Sequence, residues 1–187
     1  MQDSKAAPLP KIKIILGMML SPGTFLKNAV SSIPFFFSTV VSSLAFGLFF
    51  LQTGLDLYKT GQQPVLFVIV TSLIGILFGL LAVPLISLFI WVITKIFGCN
   101  KTVKWTVSTF CLSYSGALVY GIFGLIASLV LGWRTSIAFG VTGLMWTLGP
   151  MIATLREMLK GKILLCVILA AAVGAIVLYC WSFIGRY

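Results

Sequence analysis

Histidine is absent from this chain, acidic residues are scarce, and the long apolar stretches contain no charged side chain. The 187 residues include 13 Lys and Arg, 3 Asp and Glu, and no His. Without histidine, HExxH zinc sites and Ser-His-Asp triads are excluded. The three acids, Asp3, Asp56 and Glu157, fall in the N-terminal tail or in predicted loops, which excludes a pair of intramembrane carboxylates. We therefore expect no enzymatic activity, no metal and no cofactor.

Cysteine is also rare and unpaired in sequence. The four cysteines, Cys99, Cys111, Cys166 and Cys180, form no CxxC motif, and three of them lie within apolar stretches. This pattern is typical of cysteines that pack as small apolar side chains, and it predicts neither a disulfide framework nor a metal site. An intramembrane enzyme that uses Cys111 near Tyr114 as nucleophile is the remaining catalytic alternative, although no base accompanies it.

Hydrophobic residues make up 60% of the chain and charged residues only 9%. A helix needs about 20 apolar residues to cross the hydrocarbon core of a bilayer, and five stretches are long enough. The sequence predicts an all-α membrane bundle of five transmembrane helices that forms one domain, residues 33–187, after an N-terminal segment, residues 1–32. The predicted spans are residues 33–51, 65–93, 105–131, 135–155 and 163–184.

Basic residues are distributed unequally between the two sets of loops. Ten of the thirteen fall before the first span or in the loops after the second and fourth spans, and three fall on the other side. Because Lys and Arg are enriched in cytoplasmic loops, we expect a cytoplasmic N-terminus and an external C-terminus. The net charge of +10 does not indicate nucleic-acid binding, because these residues lie in loops that face lipid headgroups.

The segment before the first span has features of helices that lie at a membrane surface. Pro10 and Ser21-Pro22 each mark the start of a short helix, and no cleavage site follows the apolar run that ends before Ser21, so we expect no cleaved signal peptide. In the second helix the apolar residues recur at helical spacing, which predicts an amphipathic helix in the interface, next to anionic headgroups. The predicted surface contacts are Lys11, Lys13, Phe25, Leu26 and Lys27.

Small residues recur every fourth position in the later spans. Association of helices in lipid depends on close backbone approach, so these positions predict packing contacts, either within the chain or with a second copy. The predicted packing residues are Gly75, Gly79, Ala117, Gly121, Gly124, Ser128 and Gly174.

Hydroxyls are the main polar groups of the predicted spans. They can bond to their own helix, or they can form a polar seam between the first and third spans, for which Ser42, Ser113, Tyr114 and Ser115 are the candidates. Proline interrupts two spans, and Pro84 and Gly149-Pro150 predict either packing kinks or hinges.

The order of these features resembles the Yip family of five-span membrane proteins, named for interaction with Ypt/Rab GTPases. The resemblance extends over most of the chain and depends on Ser21-Pro22-x-x-Phe25, on Pro34 before the first span, on Leu112-Ser113-Tyr114-Ser115 and on a small basic loop between the last two spans. It implies a nonenzymatic membrane organiser.

The chain departs from the eukaryotic members of that family. Its N-terminal segment is short and basic rather than long and acidic, the Asp-Leu-x-Gly-Pro motif has no match, and Ser115-Gly116 stands where the family often has proline. GTPase binding is therefore not carried over. The compact form resembles the bacterial branch, some of whose members accompany ABC-type exporters, and this resemblance implies a location in a bacterial plasma membrane.

Two further hypotheses about function follow. In the first, the protein associates with other membrane proteins, such as an export complex, or with itself. In the alternative, it is a small permease or lipid transporter that uses the hydroxyl seam and the Gly149-Pro150 bend.

Overall fold

The computed structural model describes residues 10–29 and 34–184, and this part of the chain is helical with no strand. The all-α prediction is confirmed. Two short helices come first, α1 (Lys11–Leu20) and α2 (Pro22–Ala29), and the first span is the single helix α3 (Phe35–Lys59). Residues 1–9 and 30–32 of the predicted N-terminal segment, and residues 33 and 185–187 of the predicted transmembrane domain, lie outside the described residues.

Four more spans follow α3. The second consists of α4 (Val65–Leu77), a π-helical turn (Phe78–Ala82) and α5 (Val83–Ile96). The third consists of α6 (Val103–Ser113) and α7 (Ser115–Val130), the fourth of a π-helical turn (Ser136–Val141) and α8 (Thr142–Met158), and the fifth is α9 (Ile163–Ile184). All five are long and apolar enough to cross a membrane, so the chain is a multi-pass membrane protein.

Local sequence explains where the spans begin and end. Pro34 and Pro64 precede the first and second spans, and Thr102 accepts a hydrogen bond from the backbone N–H of Trp105 at the start of the third. Proline and hydroxyl side chains suit these positions because the first helical N–H groups have no partner within the helix. Each of the first four spans is followed by a glycine with positive φ, a conformation that favours glycine: Gly61, Gly98, Gly132 and Gly161.

The first and third spans lie inside the bundle, and the second and fifth lie at its periphery. Within the most apolar part of each span, 61% of the first and 67% of the third are buried, compared with 22% for both peripheral spans. The core contains Phe46, Phe50, Phe110 and Tyr114 from the two inner spans. Large apolar side chains of the peripheral spans, such as Leu66 and Leu164, are exposed and would face lipid.

The helices α1 and α2 form a hairpin that packs against the bundle. Ile14 and Met18 of α1 and Leu26 of α2 are buried in the core. The indole Nε1 of Trp146 donates to the backbone carbonyl of Met19 at 3.3 Å, and Trp146 lies close to the middle of the fourth span. The end of α1 therefore reaches about halfway along the bundle instead of staying at its edge.

Candidate functional site: the polar face of the first span

The half of the first span nearest α1 is hydrogen-bonded to the π-helical turn of the second span. In that turn the N–H of Val83 bonds to the carbonyl of Phe78, which leaves the Gly79 carbonyl without that helical donor. The next residue along is Pro84, which has no N–H. Ser42 Oγ donates to the Gly79 carbonyl at 2.8 Å, so a hydroxyl of the first span satisfies the acceptor that proline leaves open.

A second hydroxyl bond lies one turn away. Ser43 Oγ donates to the carbonyl of Ile76 at 3.0 Å. Buried polar groups that lack partners are costly in lipid, so both bonds fix the second span against the first.

Gln52 occupies a fully buried position between the first and third spans. Its Nε2 donates to the carbonyl of Gly121 at 2.8 Å, while its Oε1 has no partner among the described residues. Gly124 lies directly beside it, and an added Cβ there would come within 2.6 Å of Oε1. The two glycines of the third span therefore make room for a polar side chain.

Asp56 lies one helical turn further along the same face and is buried. Its carboxylate accepts hydrogen bonds from the backbone N–H of Thr135, from the backbone N–H of Ser136 and from Ser136 Oγ, at 2.6–3.2 Å. Those N–H groups begin the fourth span, where a carboxylate both satisfies unpaired donors and interacts favourably with the helix dipole. Asp56 thus joins the first span to the start of the fourth.

Lys59 lies on the same face and binds the C-terminal end of a helix, whereas Asp56 binds an N-terminal end. Its Nζ donates to the carbonyl and to Oγ of Ser128 at 2.6 and 2.7 Å, and to the Trp133 carbonyl at 3.2 Å. Ser128 lies near the end of α7, where carbonyls lack helical donors and a cation is favourable. The first span therefore holds both ends of the connection between the third and fourth spans.

The fifth span is joined to the same helix by an indole. Trp181 Nε1 donates to Thr53 Oγ1 at 2.9 Å, and the Trp181 ring stacks on Phe49. The first span consequently has side-chain hydrogen bonds to all four other spans. The polar groups of this face act as links between helices, and Asp56 and Ser136 also line an open cavity of about 380 Å³ together with Thr60 and Arg134.

The predicted packing residues lie mostly at contacts between spans. An added Cβ at Gly75 would lie 2.5 Å from the Phe46 carbonyl oxygen, and one at Gly79 would lie still closer to the Ser42 carbonyl oxygen. Gly121 lies against Leu48 and Gly174 against Leu148. The remaining placements are Ala117 beside Gly143, Gly124 beside Gln52 and Phe139, and Ser128 bonded to Lys59.

The proposed hydroxyl seam takes a different form from the prediction. The first and third spans are in contact, for example through the Phe46 and Tyr114 rings, whose centroids are 4.8 Å apart. Ser113 and Ser115, however, donate to carbonyls of their own span, and Ser42 bonds to the second span. The three serines do not form one polar seam because each hydroxyl donates to a backbone carbonyl.

The two proline positions do not break their spans. At Pro84 the second span widens into the π-helical turn and continues as α5. At Gly149 and Pro150 the helix α8 runs on to Met158, with Pro150 in its interior. The fourth span is therefore helical through Pro150.

Of the residues predicted to contact the membrane surface, the three lysines are exposed and the two apolar residues pack against the protein. Lys11, Lys13 and Lys27 are exposed, whereas Leu26 is only 3% exposed and Phe25 rests on Gly17 of α1. Phe25 and Leu26 of α2, which the sequence predicts to lie in lipid, contact other helices instead. The same pattern of apolar and small residues suits either environment, so the sequence does not distinguish them.

Two cavities lie on opposite faces of α8. A groove of about 250 Å³ separates α8 from α9, and its lining is apolar, with Tyr114, Leu148, Met151 and Gly174 among its walls. A cleft of about 470 Å³ separates α8 from α2 at the end of the bundle that carries most basic residues, and it is lined by Lys27, Arg156, Glu157 and Lys160. No cluster of three potential metal ligands occurs among the described residues.

Comparisons of the chain with protein-family models, with curated proteins and with solved structures find no match. The geometry is therefore the basis for the functional argument.

Sequence reasoning missed Gln52, Asp56 and Lys59 because it ended the first span at residue 51 and assigned Asp56 and Lys59 to a loop. The helix continues to Lys59. Their spacing of four and three residues places all three on one helical face, and this was the signal that could have found them.

Proposed function

We propose that this protein is a nonenzymatic organiser of other membrane proteins, with an export complex as one candidate partner. In this proposal it resides in a bacterial plasma membrane with its N-terminus in the cytoplasm and its C-terminus outside. The observation that carries the proposal is the apolar groove between α8 and α9.

The groove has the surface that a transmembrane helix of another protein would require. One wall carries Ala171, Gly174 and Ala175, of which the two alanines are exposed. Small residues allow two backbones to approach closely, and close approach is the main source of helix association in lipid. The fifth span is also peripheral, so a partner helix could reach the groove from the side.

The polar face of the first span supports the same role. Gln52, Asp56 and Lys59 form hydrogen bonds with the backbone of other spans. These bonds stabilise the arrangement of the helices, which a partner helix would need in order to dock. The transporter alternative has no comparable support, because Ser42, Ser113 and Ser115 direct their hydroxyls to backbone carbonyls.

The proposal is tested by photo-crosslinking in native membranes. A photoreactive amino acid at Ala175 samples the groove, and the same residue at Leu66, on the exposed face of the second span, is the matched control. We expect Ala175 to capture a specific membrane protein that Leu66 does not capture. Capture of lipid alone, or only of a second copy of this chain, would contradict the proposal.

A further inference from the structure

We propose that the cleft between α2 and α8 binds one anionic phospholipid through its headgroup phosphate. This site lies on the other face of α8 from the groove and does not depend on the proposed organising function. Its evidence is a cluster of cations, an open path beside them, and their place at the edge of the bundle.

Three cations from three segments meet at the cleft: Lys27 of α2, Arg156 of α8, and Lys160 just after α8. One carboxylate, that of Glu157, lies among them, so positive charge is in excess. None of the three cations forms an ion pair with a residue that the structure describes. Like charges gathered in this way favour a bound anion, and arginine suits phosphate because its guanidinium can donate two parallel hydrogen bonds.

Other lysines at the same end of the bundle have aromatic partners. Lys95 lies over the Trp91 ring at 5.3 Å and Lys101 over the Trp105 ring at 4.7 Å. Lys162 lies over Phe97 at 5.2 Å. The cations of the cleft have no such ring contact within the described residues, so they are available to an external anion.

The space below the cations distinguishes a lipid from a free phosphate ion. Gly149, Ala153 and Arg156 follow one another along α8 at spacings of four and three residues, which places them on one face. A Cβ added at Gly149 or at Gly23 would meet no atom within 4 Å. Gly23 and Gly149 are both exposed, so a strip of open surface beside the cleft, here called the slot, leaves room for the glycerol backbone and the start of an acyl chain.

The remaining polar group suggests the type of headgroup. Glu157 would repel phosphate but can accept a hydrogen bond from a hydroxyl. A headgroup with a phosphate and a free glycerol hydroxyl satisfies both the cations and this carboxylate, so phosphatidylglycerol is the expected class. Basic pockets between transmembrane helices are recognised sites for anionic headgroups.

The test measures lipid retained by the purified full-length protein in detergent, using native mass spectrometry with added dioleoylphosphatidylglycerol or dioleoylphosphatidylcholine. We expect one phosphatidylglycerol per chain and a triple variant, Lys27→Gln/Arg156→Gln/Lys160→Gln, to bind it about tenfold or more weakly. The control variant Lys11→Gln/Lys13→Gln/Lys104→Gln loses the same charge outside the cleft and should keep the bound lipid. Equal weakening in both variants would overturn the site in favour of diffuse attraction.

A second variant probes the slot without changing charge. Gly149→Leu fills the open space and should weaken retention of phosphatidylglycerol, whereas Ala172→Leu, on the exposed part of α9, should not. This comparison decides the question if the triple variant fails to fold. Unchanged retention in Gly149→Leu, or full displacement of the lipid by soluble glycerol phosphate, would contradict a lipid site.

Discussion

The first and fifth spans are both apolar helices long enough to cross the membrane, yet they differ in how many buried polar side chains they carry and in what those side chains contact. The first span is mostly buried and carries Ser42, Gln52, Asp56 and Lys59, each bonded to another span. The fifth span is peripheral, and Trp181 makes its side-chain bond to the first. In lipid, polar residues are tolerated inside the bundle where partners exist, so polar content marks the central helix.

The largest expected effect comes from the contact between the first and second spans. Gly79→Leu would force a side chain into the backbone of Ser42 and Ser43, and we expect a loss of about 3 kcal/mol or more in the free energy of unfolding. The measurement is unfolding of the purified protein in mixed micelles with increasing denaturing detergent. Ala172→Leu in the fifth span is the control, and equal losses in the two variants would remove the distinction between central and peripheral spans.

Asp56→Ala should have the next largest effect. It leaves the N–H groups of Thr135 and Ser136 without their acceptor at the start of a helix, and we expect a loss of about 2 kcal/mol. Asp56→Asn keeps one oxygen acceptor and should lose less. The same unfolding experiment provides the ranking, and a variant Asp56→Ala as stable as the unmodified protein would show that the carboxylate does not join the spans.

Ser42→Ala should cost about 1 kcal/mol, because the carbonyl of Gly79 loses its donor in the π-helical turn. Restoring the helical donor at position 84 provides a specific check. In the Pro84→Ala background, Ser42→Ala should cost less than in the unmodified chain. A cost that is independent of the residue at position 84 would mean that proline does not create the need for the hydroxyl.

The smallest expected effect is that of Trp181→Phe in the fifth span. The ring contact with Phe49 is retained and one hydrogen bond to Thr53 is lost, so we expect about 0.6 kcal/mol. Detergent-induced unfolding again measures it. If Trp181→Phe lowered the free energy of unfolding more than Asp56→Ala does, the fifth span and not the first would contribute more to the stability of the bundle.

The number of spans can be predicted from the lengths of the apolar stretches, but the polar residues of the first span cannot. The five apolar stretches predict five spans because each must cross the same thickness of lipid. The predicted first span nevertheless ends at residue 51, because Gln52 and Asp56 interrupt the apolar run. In the structure Gln52 is buried against glycines of the third span and Asp56 against the start of the fourth, so both side chains fit within the helix. Such partners are distant in sequence, so the sequence does not show which polar residue of the first span each of them contacts.

The two proline positions show a similar limit. Proline predicts a disturbed helix, but the sequence does not reveal that the hydroxyl of Ser42, which is 37 residues from Gly79, donates to the Gly79 carbonyl in place of the missing N–H. The hairpin of α1 and α2 was expected at the membrane surface because its apolar spacing fits lipid as well as protein. Only the packing of Ile14, Met18 and Leu26 distinguishes the two.

The central position of the first span is tested most directly by disulfide formation in native membranes. In a variant with the four cysteines replaced, Leu48→Cys/Gly121→Cys joins the first and third spans, because a Cβ at Gly121 would lie 3.0 Å from the Cβ of Leu48. We predict rapid crosslinking of this pair and none for Leu66→Cys/Ile168→Cys on the lipid-facing sides of the second and fifth spans. Crosslinking of the second pair without the first would contradict the account.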